Sequence, residues 1–375
     1  MKKFLLLLLP LWGITHLWAQ DSEKEKDTEI SYIPEIYGAV KAKFETSTYN
    51  GYHRFNVRNS RIGVRGLVSP YMQYRIQIDF NNEGKISILD SYASFLFGNF
   101  DLSIGQQQYK FSTDLDRGPS SNMFANRSFL SKYLTSYFGQ DLADGVPVDY
   151  VGSIGSRDIG VLSRYRFSGF PVLLVLGVFN GSGSNNPEWS DHISMVYRVE
   201  IGHSKGLKGA VSHYNGATPV SNHVVETGGT YAVEEFKQNL WMWGGELHYV
   251  GDDFRIEAEY AQRRLKDEEL HILTAAHVHG YYQFHIQNSA IDYIAPIARW
   301  DIGDGIEFIN QNSNAIERVS TQRATIGVNL GFIQRLVGSE LRFNYEKYFF
   351  RHTPSDHGKN LLFQDKFTVE IVATF

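Results

Sequence analysis

The sequence predicts an all-β protein, a transmembrane antiparallel β-barrel of about sixteen strands whose third external loop is the longest. Three observations lead there. Long segments alternate apolar and polar residues with a period of two, which is the signature of a strand with two different faces. The links between those segments run short and long in turn. Aromatic residues make up 14% of the chain although mean hydropathy is −0.29, as expected for strands with an apolar outer face, aromatic edges and a polar inner face.

The chain opens with "MKKFLLLLLPLWGITHLWAQ", two lysines followed by an apolar run from Phe4 to Trp18 and the small residue Ala19. This layout predicts a signal peptide over 1–20, cut near Ala19 or Gln20. The run is shorter than the roughly 20 apolar residues a spanning helix needs. Residues 21–34 read as a short polar periplasmic segment and 35–375 as the barrel. With no cysteine in 375 residues, disulfides and thiolate metal sites are excluded. Removing Lys2 and Lys3 takes the net charge from −5 to −7, 34 basic against 41 acidic residues, which argues against a nucleic-acid partner.

The clearest strand is "YMQYRIQIDFNN" (71–82), with Met72, Tyr74, Ile76, Ile78 and Phe80 on one face and Gln73, Arg75, Gln77 and Asp79 on the other. "SMVYRVEIG", "FRIEAEYA", "RATIGVNLGF", "ELRFNYEKY" and "KFTVEIVATF" repeat the scheme. The predicted strands are 35–46, 53–68, 71–82, 85–98, 100–111, 157–168, 170–180, 191–203, 207–216, 239–250, 253–266, 278–288, 290–301, 320–334, 339–351 and 361–375. Short links such as "LVSP", "GN", "SG", "SKG", "GDD", "NS" and "LVG" join every second pair. A soluble sandwich has no reason to keep that order, whereas a membrane barrel has short periplasmic turns and longer external loops. The apolar faces are therefore expected to meet outer-membrane lipid, and Phe367, Val369, Ile371 and Phe375 to end the last strand on the lipid side.

Inward positions read from the alternation make Arg61, Arg65, Arg75, Arg164, Arg166, Arg323 and Arg342 candidate pore-lining, anion-binding residues, along with Arg198, Arg255 and Arg263. The phase of Arg299 is ambiguous. Arginine suits oxyanions because its planar fork donates two parallel hydrogen bonds. Asp79, Asp90, Glu200, Glu246, Glu257, Glu259, Glu346 and Glu370 share the inner face, so the expected pore carries mixed charge. The segment 112–156 contributes Arg117, Arg127 and Lys132 as candidate constriction residues, besides Asp114, Asp116, Asp141 and Asp144.

Several motifs resemble the phosphate-selective porins O and P of Gram-negative outer membranes: "NSRIGVRGLVSPYMQYRIQIDF" (59–80), "DSYASF" with "LSIGQQQYKFS", "RSFLS" (127–131), "SRDIGV" (156–161), "LGVFNGSGSNN" (176–186), "IARWD" (297–301), "TIGVN" (325–329) and "NYEKY" (344–348). They follow one another in family order over nearly the whole mature chain. The resemblance implies a sixteen-stranded barrel, often a homotrimer, with a long third external loop folded into the lumen as the constriction. It also implies a column of pore arginines and lysines, for which the arginines of "NSRIGVRG" and "YRIQ" are natural candidates.

The expected activity is passive diffusion of small hydrophilic solutes or of anions such as phosphate, with no cofactor and no enzyme chemistry. No "GxSxG" elbow is present, and "GSGS" at 181–184 falls in a loop. A structural or adhesive barrel with a plugged lumen and partner-binding loops is the alternative. His277, His279 and His285 share a parity on a predicted strand, a spacing that suits a transition metal or a pH response. No cysteine or carboxylate stands at fixed spacing beside them, so no metal site is assigned.

Overall fold

The structure, a computed structural model, describes residues 31–375 apart from 83, 119–120, 190, 229, 267–268, 288–289 and 334–337. The predicted signal peptide and most of the segment 21–34 lie outside the described residues. The barrel strands are β1 Glu35–Ser47, β2 His53–Ser69, β3 Met72–Asn82, β4 Lys85–Phe97, β5 Phe100–Gln108, β6 Arg157–Arg166, β7 Val172–Phe179 and β8 Ser194–Gly202. They continue as β9 Gly206–Ala217, β10 Asn239–Val250, β11 Phe254–Lys266, β12 Leu270–Tyr282, β13 Tyr293–Ile309, β14 Ile316–Ile333, β15 Gly338–Phe350 and β16 Lys366–Thr374.

Each strand pairs antiparallel with the next, and β16 pairs with β1 from Ala39↔Thr374 to Ser47↔Lys366, closing a sixteen-strand barrel. Closure leaves no sheet edge, so every strand's backbone groups can be satisfied within the wall. The described N-terminal end and Phe375 meet at one rim, where Gly38 and Phe375 exchange backbone hydrogen bonds.

The alternation resolves as expected. Ile76, Phe80, Ile326, Val328 and Ile371 point outward and stay exposed, while Gln77, Asp79, Thr325, Asn329 and Glu370 are buried inside. Outward aromatics pair along the wall: Trp300 stacks on Phe349 at 5.5 Å, Trp243 lies 5.3 Å from Tyr260, and Tyr249 stacks on Phe254 at 5.3 Å beside the β10–β11 turn. Rings of this kind suit the two water–lipid interfaces.

Two strands differ from the sequence expectation. β12 starts at Leu270 rather than 278, because Leu273 and Ala275 on its inner face are as apolar as Ile272 on its outer face. A segment apolar on both sides loses the period of two. β13 runs on to Ile309, past a register shift between Gly303 and Ile306 that breaks its alternation. The link lengths are also less regular than expected, since β11 and β12 are separated by only three residues and β12 and β13 by ten.

Candidate functional site

The third loop, residues 109–156, does not stand outside the barrel. It carries two short helices, α1 Thr113–Asp116 and α2 Phe129–Tyr133, and a hairpin pairing Ser136–Ala143 with Val146–Ser153. A serine caps each helix: Ser112 Oγ accepts from the Leu115 amide (3.1 Å) and Ser128 Oγ from the Ser131 amide (3.0 Å). Both hydroxyls also donate, Ser112 to Glu259 at 2.6 Å and Ser128 to Asp114.

Polar groups of the wall hold the loop's backbone. Glu246 accepts from the Thr113 amide (3.0 Å), Glu259 from that of Asp114 (2.9 Å), Asn344 from that of Ala125 (2.8 Å) and Asp301 from that of Phe129 (3.2 Å). From the other direction, Asn329 donates to the Met123 carbonyl (2.8 Å), Arg299 to that of Asn126 (3.1 Å) and Arg323 to that of Arg127 (2.6 Å). The loop is thereby fastened along β10, β11 and β13–β15. Its apolar side chains, Phe111, Leu115, Phe129, Leu130 and Leu134, pack inside the barrel against Val196, Leu240, Met242, Leu265, Leu273, Ile306 and Val319. The inner face is therefore apolar where the loop docks, a division the alternation alone does not reveal.

The seven predicted pore arginines all lie on inward positions, and each has a carboxylate partner. Arg61 pairs with Asp79 (2.8 Å), Arg65 with Glu35 (2.6 Å), Arg75 with Asp90 (3.1 Å), and Arg164 and Arg166 both with Asp101 (3.4 and 3.0 Å). Arg323 bridges Asp301 (2.9 Å) and Glu346 (3.0 Å), and Arg342 pairs with Glu370 at 3.1 Å. Arg198, Arg255, Arg263 and Arg299 are likewise held, by Glu246, Glu257, Glu307 and Asp301.

Exposure divides the seven. Arg61, Arg323 and Arg342 are buried, so they brace the wall rather than meet water. Arg65 reaches solvent at the rim shared with the chain end. Arg75, Arg164 and Arg166 keep 32%, 23% and 52% of their side-chain surface open. These three, with Arg157 on Asp90 (2.8 Å), form a basic wall on β3 and β6, and Arg65 and Arg75 both lie over the Tyr37 ring at 5.3 and 5.4 Å.

Of the predicted loop cations, Arg117 is locked on Glu257 and approaches His279 Nε2 at 3.4 Å. Arg127 is exposed at its side chain while its carbonyl is held by Arg323. Lys132 Nζ lies 4.8 Å from the Tyr133 ring. Its chain reaches lumen water, but the protein around it disfavours the charge and moves the ammonium down to about 8. Burial also pushes the Asp116 carboxyl up, against the pull of Lys110 at 3.7 Å. A cavity of about 270 Å³ borders the loop, lined by Lys110, Asp116, Arg117, Arg198, Glu200 and Arg255 among others.

Two groups of inward residues escape the sequence reading. Lys41 and Lys43 of β1 are buried inside, at 3.2 Å from Glu370 and 2.8 Å from Glu45, and their alternation with Val40, Ala42 and Phe44 was a usable signal. Arg58 has the parity of the lipid face, but a register shift pairing Lys41 with Asn59 and Ala42 with Val57 leaves it as the extra residue of a bulge. It turns inward and donates to the Ala125 carbonyl. The histidines also separate: His277 and His279 stack inside β12 at 5.1 Å, whereas His285 is exposed in the link to β13 beside Asp253 (3.5 Å). His285 is no part of an inward trio.

The sixteen-strand architecture is shared with solved outer-membrane proteins. OmpT of Vibrio cholerae in its trimer form is 14% identical, with 92% of this chain and 98% of that chain covered and a TM-score of 0.56. An anion-selective porin from Comamonas acidovorans is 10% identical over 91% and 98%, with a TM-score of 0.57. OprB of Pseudomonas putida is 8% identical over 91% and 94%, at 0.58. No family model and no curated sequence matches the chain, so the likeness to the phosphate-selective porins rests on the quoted motifs.

Proposed function

We propose that the protein is an outer-membrane porin, a water-filled channel for passive diffusion of small hydrophilic solutes with a weak preference for anions. The observation that supports it best is the basic wall opposite the docked loop. On β3 and β6, Arg75, Arg157, Arg164 and Arg166 face Asp90 and Asp101, four cations against two paired anions. A field of that sign favours anions without binding them tightly, since selectivity in a wide pore follows the charges around its narrowest part.

Phosphate preference is the narrower reading, and it depends on arginine forks that are free to take an oxyanion. The arginines of "NSRIGVRG" and "YRIQ" already hold Asp79, Glu35 and Asp90. A phosphate would have to share each of these guanidiniums with a carboxylate that weakens its hold. General diffusion with weak anion preference therefore fits better than a dedicated phosphate path. The porin-type barrel also favours residence in the outer membrane and assembly with further copies, as a trimer form is recorded for the Vibrio protein. No catalytic role is part of this reading.

One observation favours a plugged lumen instead: the apolar cluster formed by the loop with β6–β15 fills part of the interior. Reversal potentials in planar bilayers under a potassium chloride gradient, repeated with millimolar phosphate, separate the readings. Weak anion preference without phosphate block is expected. Strong block by phosphate would favour the selective path, and absence of current the plugged barrel.

A further inference from the structure

The inner face of β10–β12 carries a grid of acids and imidazoles. In register, Glu246 of β10 stands beside Glu259 of β11, which stands beside His277 of β12; one row on, His248, Glu257 and His279 repeat the arrangement. Nothing in the diffusion reading uses the first row together with His248.

Glu246, His248 and Glu259 each place one ligand atom within 4.8 Å of the other two. His248 Nε2 lies 3.3 Å from a Glu259 carboxylate oxygen yet makes no hydrogen bond. Two ligand atoms around a tetrahedral zinc ion, with bonds of about 2.1 Å, sit roughly 3.4 Å apart. A second observation is the burial of that imidazole: His248 is 2% exposed, so its unpartnered Nε2, aimed at Glu259, is shut off from solvent. A buried imidazole with no partner is costly unless something fills the position.

The geometry points to a binding site for a divalent transition metal of the zinc class, with Glu246, His248 and Glu259 as ligands. Mixed imidazole and carboxylate donors select such ions over calcium or magnesium, which prefer oxygen alone. Arg198 and the Thr113 amide already occupy part of Glu246, and Ser112 and the Asp114 amide part of Glu259. Glu246 Oε1 is filled by Arg198 and the Thr113 hydroxyl, but Glu246 Oε2 and the Glu259 Oε1 that faces His248 each accept only one hydrogen bond and keep a lone pair for the metal. The same carboxylates anchor the start of the third loop, so the ion would sit directly behind the constriction.

The test is direct titration of the refolded, chelator-treated full chain with cobalt and zinc at neutral pH, followed by visible absorption and calorimetry. One equivalent per chain is expected, with cobalt giving the intense bands of low coordination and zinc displacing it. His248→Asn, close in volume to the native residue, should weaken binding more than about tenfold, with the barrel's circular dichroism unchanged. His285→Asn should bind as the parent does. Absence of a saturable first equivalent, or binding unaffected by His248→Asn, would overturn the assignment. Because the readout is metal binding and not current, it stands apart from the diffusion reading.

Discussion

Arg323 of β14 donates from Nη2 to the backbone carbonyl of Arg127, 2.6 Å away on the third loop, while ion-pairing with Asp301 and Glu346 on the strands either side. One buried guanidinium thus joins three wall strands to the constriction. Replacing it with methionine leaves Asp301 with Arg299 and Glu346 with the Asn126 amide. A cost of about 3–5 kcal/mol is expected from removing one partner of a buried charge network. Denaturant unfolding of Arg323→Met in vesicles measures that loss, and larger or noisier single-channel steps should accompany it as the loop loosens.

Ile326 and Asn329 lie on opposite faces of β14, the first 60% exposed and the second buried. Ile326→Arg is expected to cost about 2–4 kcal/mol in a bilayer, because a charge enters hydrocarbon near the middle of the strand. The same substitution at a soluble protein's surface would be nearly neutral. Urea titrations of folding into lipid vesicles and into detergent, compared side by side, read the difference.

Charge reversal should separate pore residues from bracing residues. Arg75→Glu with Arg166→Glu is expected to lower the chloride-to-potassium permeability ratio in a refoldable barrel, since both side chains reach lumen water. Arg61→Glu sets a second buried carboxylate against Asp79. It should destabilise by several kcal/mol, on the order of a broken buried pair. A selective loss of permeability ratio at Arg61 with unchanged stability would contradict this division.

Lys132 supplies a pH dependence. Its ammonium is moved down to about 8, so it is cationic below that pH and neutral above it. Anion preference should therefore fall as pH rises from 7 to 9, while Lys132→Met should show a flatter profile over the same interval. Reversal potentials taken across that range in both proteins check the sign.

How far the sequence alone reached follows from where its period of two survives. β3 and β14 carry apolar side chains on the outer face and polar ones on the lumen face, and their positions and inner residues are legible. The period fails where the inner face is apolar, as at Leu273 and Ala275, and where a bulge shifts the phase, as at Arg58 and Gly303. The pairing of each arginine with a particular carboxylate is set by register between strands, which no single strand encodes. The loop's path is set by contacts more than a hundred residues apart in sequence, such as Ser112 with Glu259.

The central claim is a lumen narrowed but left open by the docked loop. Single-channel recording of the refolded protein in planar bilayers, beside Arg323→Met, tests it most directly. Discrete ohmic steps in the parent chain, with larger steps in the variant, are the predicted result. A correctly folded barrel that passes no current until the loop's anchor is removed would contradict it.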